Sequence, residues 1–319
     1  VTLLLTTTGQ VAGAVSPDVA KSNAVGVATV DGTKATIELL DGILTLEGQT
    51  TYSGAAAAKL NGCLVTVSSY KRDYLTLSKV NGKGASTALN LTTNRMGTKE
   101  LSAGARFFEQ VGNGRLVEID RSDITITSIP ANKITYVGYD WAGRVDKLVL
   151  NDVTGDCYDY GMIYYRAAGY EESKDDGSEG SYQNGEIRVT NGSHTDGVSY
   201  VVGSVDGAKT NRMGGVAGSL DQLDGKNRMA AFMPLNEATG IRRAQFDTDA
   251  MLLTTNSMVI PISDKVECYN KTTGAWYELG KDGDHKAALN LALAFSDDIT
   301  VYYDRSPEEG GKVRIVVVE

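Results

Sequence analysis

A chain that echoes its own elements at long range folds into something that repeats, and this one does so in several places. Leu91-Thr92-Thr93-Asn94-Arg95-Met96 returns as Leu253-Thr254-Thr255-Asn256-Ser257-Met258, an offset of 162 residues. Each copy precedes an apolar alternating stretch, Ala105-Arg106-Phe107-Phe108 and Val266-Glu267-Cys268-Tyr269. Ile134-Thr135-Tyr136-Val137 followed by 143–150 is echoed by Ile299-Thr300-Val301-Tyr302 followed by 311–318. Leu3-Leu4-Leu5, Leu148-Val149-Leu150 and Val316-Val317-Val318 read as one joint strand used three times. The expectation is two units, 1–147 and 148–319, cut from a longer array.

Local patterning makes those units β-rich. Ala35-Thr36-Ile37-Glu38-Leu39, Leu64-Val65-Thr66-Val67, Tyr74-Leu75-Thr76-Leu77 and Glu186-Ile187-Arg188-Val189 alternate with period two and carry β-branched or aromatic side chains. Asp31-Gly32, Asn81-Gly82, Asn191-Gly192 and Asp206-Gly207 fall between such runs and supply the positive φ that tight hairpins need. The resulting fold class is all-β and mainly antiparallel: two tandem β-sandwich or small-barrel repeat units with little helix. Only Ala55 to Leu60 and Ala287 to Phe295 hint at helix, and each reads equally well as a strand or a crossing loop. Unit 2 carries an extra acidic segment, Glu171 to Ser181, expected as an exposed hairpin tip behind the outgoing Tyr164, Tyr165 and Tyr170.

Charge narrows the function. A net charge of -9 argues against a basic groove for nucleic acid or a basic face for anionic lipid. No run approaches the eighteen or so apolar residues of a spanning helix, so no membrane insertion is expected. Cys63, Cys157 and Cys268 are three, far apart and without neighbouring histidines, which signals neither a disulfide framework nor a zinc site. They read as small buried apolar residues.

Signatures of chemistry are equally sparse. His194 and His285 are the only histidines, both in turn-like sequence, and no G-x-S-x-G elbow accompanies them. Asp152 to Asp159 and Asp175 to Glu179 gather carboxylates but miss the calcium-loop spacing. The first reads as a turn, with Asp152 bonded to the backbone and Gly155 left-handed. A glycosidase pair of carboxylates leaves no mark in a linear sequence. No catalytic, cofactor-binding or metal-ligating residue is therefore assigned, and no cofactor is expected. Trp141, Trp276 and Tyr170 are the candidate glycan or partner contacts, since aromatic side chains near turns can form sugar platforms.

At Tyr139-Asp140-Trp141-Ala142-Gly143-Arg144-Val145-Asp146-Lys147-Leu148 and on through Val149 to Gly161 the chain resembles the repeated β-rich regions of S-layer homology domain-containing surface proteins of Gram-positive gut bacteria. That resemblance implies an extracellular, cell-surface or cell-wall location and a display or lattice role. The expectation is a non-enzymatic structural or adhesive segment, with other surface-protein domains or host or wall glycans as partners. Its rival is a carbohydrate-binding or carbohydrate-processing module, marked by a cleft that joins Trp141 or Trp276 to two carboxylates. A third reading is a protein-binding module that works through a strand edge or the 171–181 hairpin.

Overall fold

Alternating apolar residues curl the first long meander into a barrel. In the computed structural model, the described residues are 2–9, 11–15, 24–40, 45–51, 57, 60–71, 73–80, 84–112, 114–140, 142–166, 171–173, 179–181, 185–202, 212–223, 226–279, 283–294 and 296–319. Strands β1 (Thr2–Leu5) and β2 (Val11–Val15) form an antiparallel ribbon. Next come β3 (Val25–Asp31), β4 (Lys34–Leu39), β5 (Thr45–Thr50), β6 (Leu64–Lys71) and β7 (Tyr74–Lys79), closed in the order β3-β4-β5-β7-β6. Ala35, Ile37, Val65, Val67, Leu75 and Leu77 point inward and are almost fully buried, as the period-two pattern predicts. The third and fifth strands, β5 and β7, are parallel. This is the connectivity of the small Greek-key barrels called OB folds, and the connectivity by itself carries no function.

A mixed sheet follows, built from β8 (Leu89–Asn90), β9 (Arg95–Met96), β10 (Lys99–Gln110), β11 (Val117–Ile119), β12 (Ser128–Ile129), β13 (Ile134–Tyr139) and β14 (Val145–Asn151). Its order is β12-β8-β9-β10-β14-β13, with β10 and β14 parallel and β11 beside β10. The plan then recurs. A second barrel uses β15 (Asp159–Arg166), β18 (Gly185–Thr190), β19 (Val198–Val202), β20 (Arg212–Leu223) and β21 (Lys226–Pro234), again ordered first-second-third-fifth-fourth with the third and fifth strands parallel. Between its first and second strands grows a small ribbon, β16 (Glu171–Ser173) with β17 (Glu179–Ser181), at the acidic segment; its tip, 174–178, lies outside the described residues.

The second sheet contains β22 (Asn236–Ile241), β23 (Phe246–Asp247), β24 (Leu252–Thr254), β25 (Val259–Asn270), β26 (Ala275–Trp276), β27 (Ile299–Tyr303) and β28 (Val313–Val318). Its path β23-β24-β25-β28-β27 matches β8-β9-β10-β14-β13 strand for strand. The molecule is thus all-β with two tandem barrel-plus-sheet units. Among the described residues most pairings are antiparallel, and four, β10–β14, β25–β28, β5–β7 and β19–β21, are parallel.

Even the irregularities repeat. In β10, residues 102–105 bulge opposite the single residue Asp146, and in β25 residues 263–266 bulge opposite Arg314. The hexapeptide echo, by contrast, is a coincidence of register. Leu91 to Asn94 form the loop between β8 and β9, whereas Leu253-Thr254 end β24 and Thr255-Asn256 begin the next loop. The structural counterpart of the first loop is 248–251, where Asp247 Oδ1 accepts from the Asp249 and Ala250 N–H as Asn90 Oδ1 accepts from those of Thr92 and Thr93.

One α-helix, α1 (His285–Leu293), lies among the described residues. The Asp284 carboxylate caps it by accepting the Ala287 N–H at 2.9 Å, and Ala288, Leu289, Ala292 and Leu293 form its buried face. That face covers one side of the second sheet, where Ile119, Ile124 and Ile129 do the same work in the first. The other side of each sheet packs on its own barrel, through Phe108, Tyr136 and Val149 in unit 1 and through Ile315, Val317 and Tyr269 in unit 2. Strand β28 is therefore buried on both faces, which is why Val313–Val318 reads as a continuous apolar run.

Candidate functional site at the joint between the units

The polar residues least exposed to solvent gather where β14 hands over to β15. The connection 152–158 turns twice through left-handed backbone, at Asp152 (φ 52°) and Gly155 (φ 76°). Glycine is required at the second turn. A Cβ there would lie 2.4 Å from Asp304 Oδ2 and 2.6 Å from Arg314 Nη2. From below, the fully buried Glu109 of β10 accepts the Thr154 N–H at 2.7 Å, the Val153 N–H and the Thr154 hydroxyl. From above, Arg314 of β28 spans the connection. Its Nη1 donates to Asp156 Oδ1 at 2.5 Å and to Ser263 Oγ at 3.1 Å, its Nη2 to the Thr154 carbonyl, and its Nε and Nη2 to Asp304 Oδ2 at 3.0 and 2.8 Å. Lys312 Nζ reaches Asp156 Oδ2 at 3.1 Å, and Arg305 donates to the Val153 carbonyl at 2.6 Å and to Asp152 Oδ1 at 2.5 Å. The Tyr160 hydroxyl donates to the Gly155 carbonyl at 2.8 Å beneath the Arg314 guanidinium.

Electrostatics in this joint follows burial and pairing. Burial alone would lift the Asp156 carboxyl, but the Arg314 and Lys312 cations outweigh it and hold the group below the ordinary aspartate range. Glu109 moves the other way: burial lifts it against the hydrogen bonds from Thr154 and Val153. Burial, then the Glu109 carboxyl, pushes the Cys157 thiol up, so it is no thiolate nucleophile.

A second buried carboxylate, Glu267 of β25, ties the second sheet to its barrel. It accepts the Gly192 N–H at 2.8 Å and the Ser193 hydroxyl at 3.0 Å. His285 Nδ1 lies 3.0 Å from the Val266 carbonyl and 3.9 Å from Glu267 Oε1. The serine donates to the carboxylate and not to the histidine, so the set lacks the base–nucleophile contact of a catalytic triad. Burial raises the Glu267 carboxyl against the nearby His285 and the Ser193 and Gly192 donors.

Beside the joint opens a cleft of about 420 Å³. The loop after β10 brings Arg115, the connection brings Asp156 and Asp159, barrel 2 brings Tyr200 and Asn227, and β25 brings Lys265. A smaller recess of about 100 Å³ adjoins it and reaches Glu267 and His285. The Tyr200 hydroxyl donates to Asp159 Oδ2, and Gly114 bridges to Ser219, so the first sheet touches the rim of the second barrel directly.

The sequence-predicted residues that lie among the described ones take different places. Trp276 stacks on Tyr269 with ring centroids 5.0 Å apart and packs half-buried between the second sheet and its barrel, away from the cleft. Trp141 and Tyr170 lie outside the described residues. His194 sits exposed in the β18–β19 turn as expected, whereas His285 opens α1 and is half-buried, a correction to its reading as a turn residue. Gly155 takes the expected left-handed backbone, but Asp152 gives its carboxylate to Arg305 rather than to the local backbone. Glu109, Asp304 and Arg314 were missed; for Arg314 the signal was a charge set inside an apolar strand run, Val313-Arg314-Ile315-Val316. Among the described residues, no group of His, Cys, Asp or Glu is placed to hold a metal, and no helix is long and apolar enough to cross a membrane. Comparison with protein-family models, curated proteins and solved structures finds no match for this chain.

Proposed function

We propose that this chain is a non-enzymatic structural segment of a bacterial cell-surface protein, two barrel-plus-sheet units held in fixed relation. The observation that carries the reading is the joint itself. Arg314, 1% exposed, spends its guanidinium on Asp156 and Thr154 of the connection and on Asp304 and Ser263 of its own sheet, and so pins the chain that leaves the first sheet onto the second. Charges in a catalytic cleft stay available to a substrate; the best-buried ones here are consumed in fastening. Surface display follows from the resemblance of 139–161 to S-layer-associated β regions, and the acidic surface suits it by limiting edge-to-edge association.

Small-angle X-ray scattering tests the mechanical part. The chain should scatter as one rigid body, and Arg314→Met should add interdomain flexibility; a wild-type chain already flexible at the joint would sink the proposal. Antibody labelling of intact cells that make the protein tests the location, and turnover of any glycan in a hydrolysis panel would overturn the non-enzymatic part.

A further inference from the structure

We infer that the second barrel is fastened to its sheet by a proton-operated latch, Glu267 flanked by the only two histidines of the chain, His194 and His285, which closes in acid and loosens as pH climbs through neutrality. Both imidazoles line the recess of about 100 Å³ that reaches Glu267. His194 comes from the turn between β18 and β19, His285 opens α1, and Glu267 belongs to β25, so three elements meet on one carboxylate. Its side chain is 5% exposed, and among the described residues its hydrogen bonds come from the Gly192 N–H at 2.8 Å and the Ser193 hydroxyl at 3.0 Å. The turn presses on it: a Cβ on Gly192 would stand 2.9 Å from Glu267 Oε2 and 2.4 Å from the Tyr277 carbonyl oxygen. His285 Nδ1 faces the Val266 carbonyl, which only accepts, so Nδ1 keeps its proton and Nε2 is the nitrogen that gains or loses one.

With Glu267 ionised and the imidazoles neutral, a buried anion is left with two donors. A proton on the carboxyl, or on His285 beside it, removes that cost, so the folded cluster binds its last proton more tightly than the unfolded chain does. Burial raises the Glu267 carboxyl above its ordinary 4.5; the clasp is therefore complete below that value and weakens as pH rises through the raised one, and imidazole charge, ordinarily lost between pH 5 and 8, carries the weakening across that range. Other charges around the recess are engaged: Asp156 with Lys312 and Arg314, Asp159 with the Tyr200 hydroxyl, Asp284 as the cap of α1 and Lys286 with Asp249. Burial raises the Tyr158 and Tyr160 hydroxyls, which stay neutral, and Lys265 adds a cation at the rim. Unit 1 is the built-in control. Arg106 stands where Glu267 does, first after the bulge, and donates to the Leu40 carbonyl of its own barrel with a charge that no accessible pH removes.

Amide exchange of the full chain at stepped pH, corrected for the intrinsic pH dependence of exchange, tests the latch. Protection of the Gly192 N–H should be at least about tenfold higher at pH 5 than at pH 8, whereas that of the Leu40 N–H, bonded to the Val25 carbonyl at 2.9 Å beside Arg106, should hold. His285→Gln should remove most of the change, and His194→Gln, at an exposed side chain, a smaller part. The two imidazole resonances of the wild-type chain give a readout that needs no variant: that of His285 should titrate in two steps, one shared with Glu267, and Glu267→Gln should reduce them to one. Equal Gly192 protection at both pH values, a parallel change at Leu40, a response that survives both histidine variants, or a single-step His285 titration in wild type would overturn the inference.

Discussion

At Arg314 the guanidinium has no solvent to fall back on, and its partners are themselves buried: Asp304 is 4% exposed and lies on the same sheet, while Asp156 belongs to the connection. Arg314→Met strands the Asp304 carboxylate and leaves Asp156 with Lys312 alone, and the urea midpoint should fall by the equivalent of about 3–5 kcal/mol. Lys271→Ala, at the exposed pair with Glu319, should leave the midpoint where it is. Gly155→Ala should cost more than the ~1–2 kcal/mol of a left-handed alanine, because its Cβ also collides with the ion pair. Gly32→Ala, at φ 60° in open space, pays the backbone term alone, and equal losses at the two positions would show that Gly155 is not pressed by the joint. Glu109 supplies a pH signature. Its folded-state carboxyl is raised, so the native state holds the proton longer and stability falls as pH climbs from the ordinary value of 4.5 through the raised one. Glu109→Gln keeps an acceptor without a proton to lose, so the advantage of wild type over variant should shrink across that interval in chemical unfolding at stepped pH. Asp156 has the opposite sign: its contribution is present above the ordinary 3.8 and is lost as pH falls through its lowered value.

Among the elements, α1 depends on its cap and on Leu289, which is fully buried against the second sheet. Asp284→Ala should cost about 1 kcal/mol and Leu289→Ala about 2–5 kcal/mol in the same unfolding assay. The helix was half-legible in the sequence. Ala287 to Phe295 is apolar nearly all round, with Leu291 55% exposed, so no clean face separated helix from strand; the decisive marks, Gly283 and Asp284, sit just before it. Strands with one wet face, such as β4 and β7, were legible because alternation encodes burial directly. Parallel pairings were not, since β10 and β14 meet across some forty intervening positions that no local rule links. The hexapeptide misled for a related reason: similar turn residues recur wherever tight hairpins do, so identity of letters did not mean identity of place. The joint was hidden for a third. A charged residue in an apolar run announces a buried partner without naming it, and the partners of Arg314 lie up to 160 residues away.

Across the whole molecule, equivalent positions at the barrel–sheet contacts carry exchanged charges. Arg106 donates to the Leu40 carbonyl of the first barrel, and its counterpart Glu267 accepts from Gly192 of the second; Asp146 and Arg314 stand opposite the same bulge. Each sheet is thereby keyed to its own barrel, and mispairing between units would bring unlike partners together. With the joint intact, the two units should unfold together. Single-tryptophan variants, Trp141→Phe and Trp276→Phe, place one fluorophore in each unit, and their midpoints should coincide in the wild-type background and separate once Arg314→Met is added. Separation before that change would mean that the units are independent. The joint also has a place in time. A ribosome makes Asp156 158 residues before the arginine that pins it. Until that arginine emerges, the growing chain carries a finished first half and a partly assembled second half, joined by a connection that Glu109 holds from one side alone.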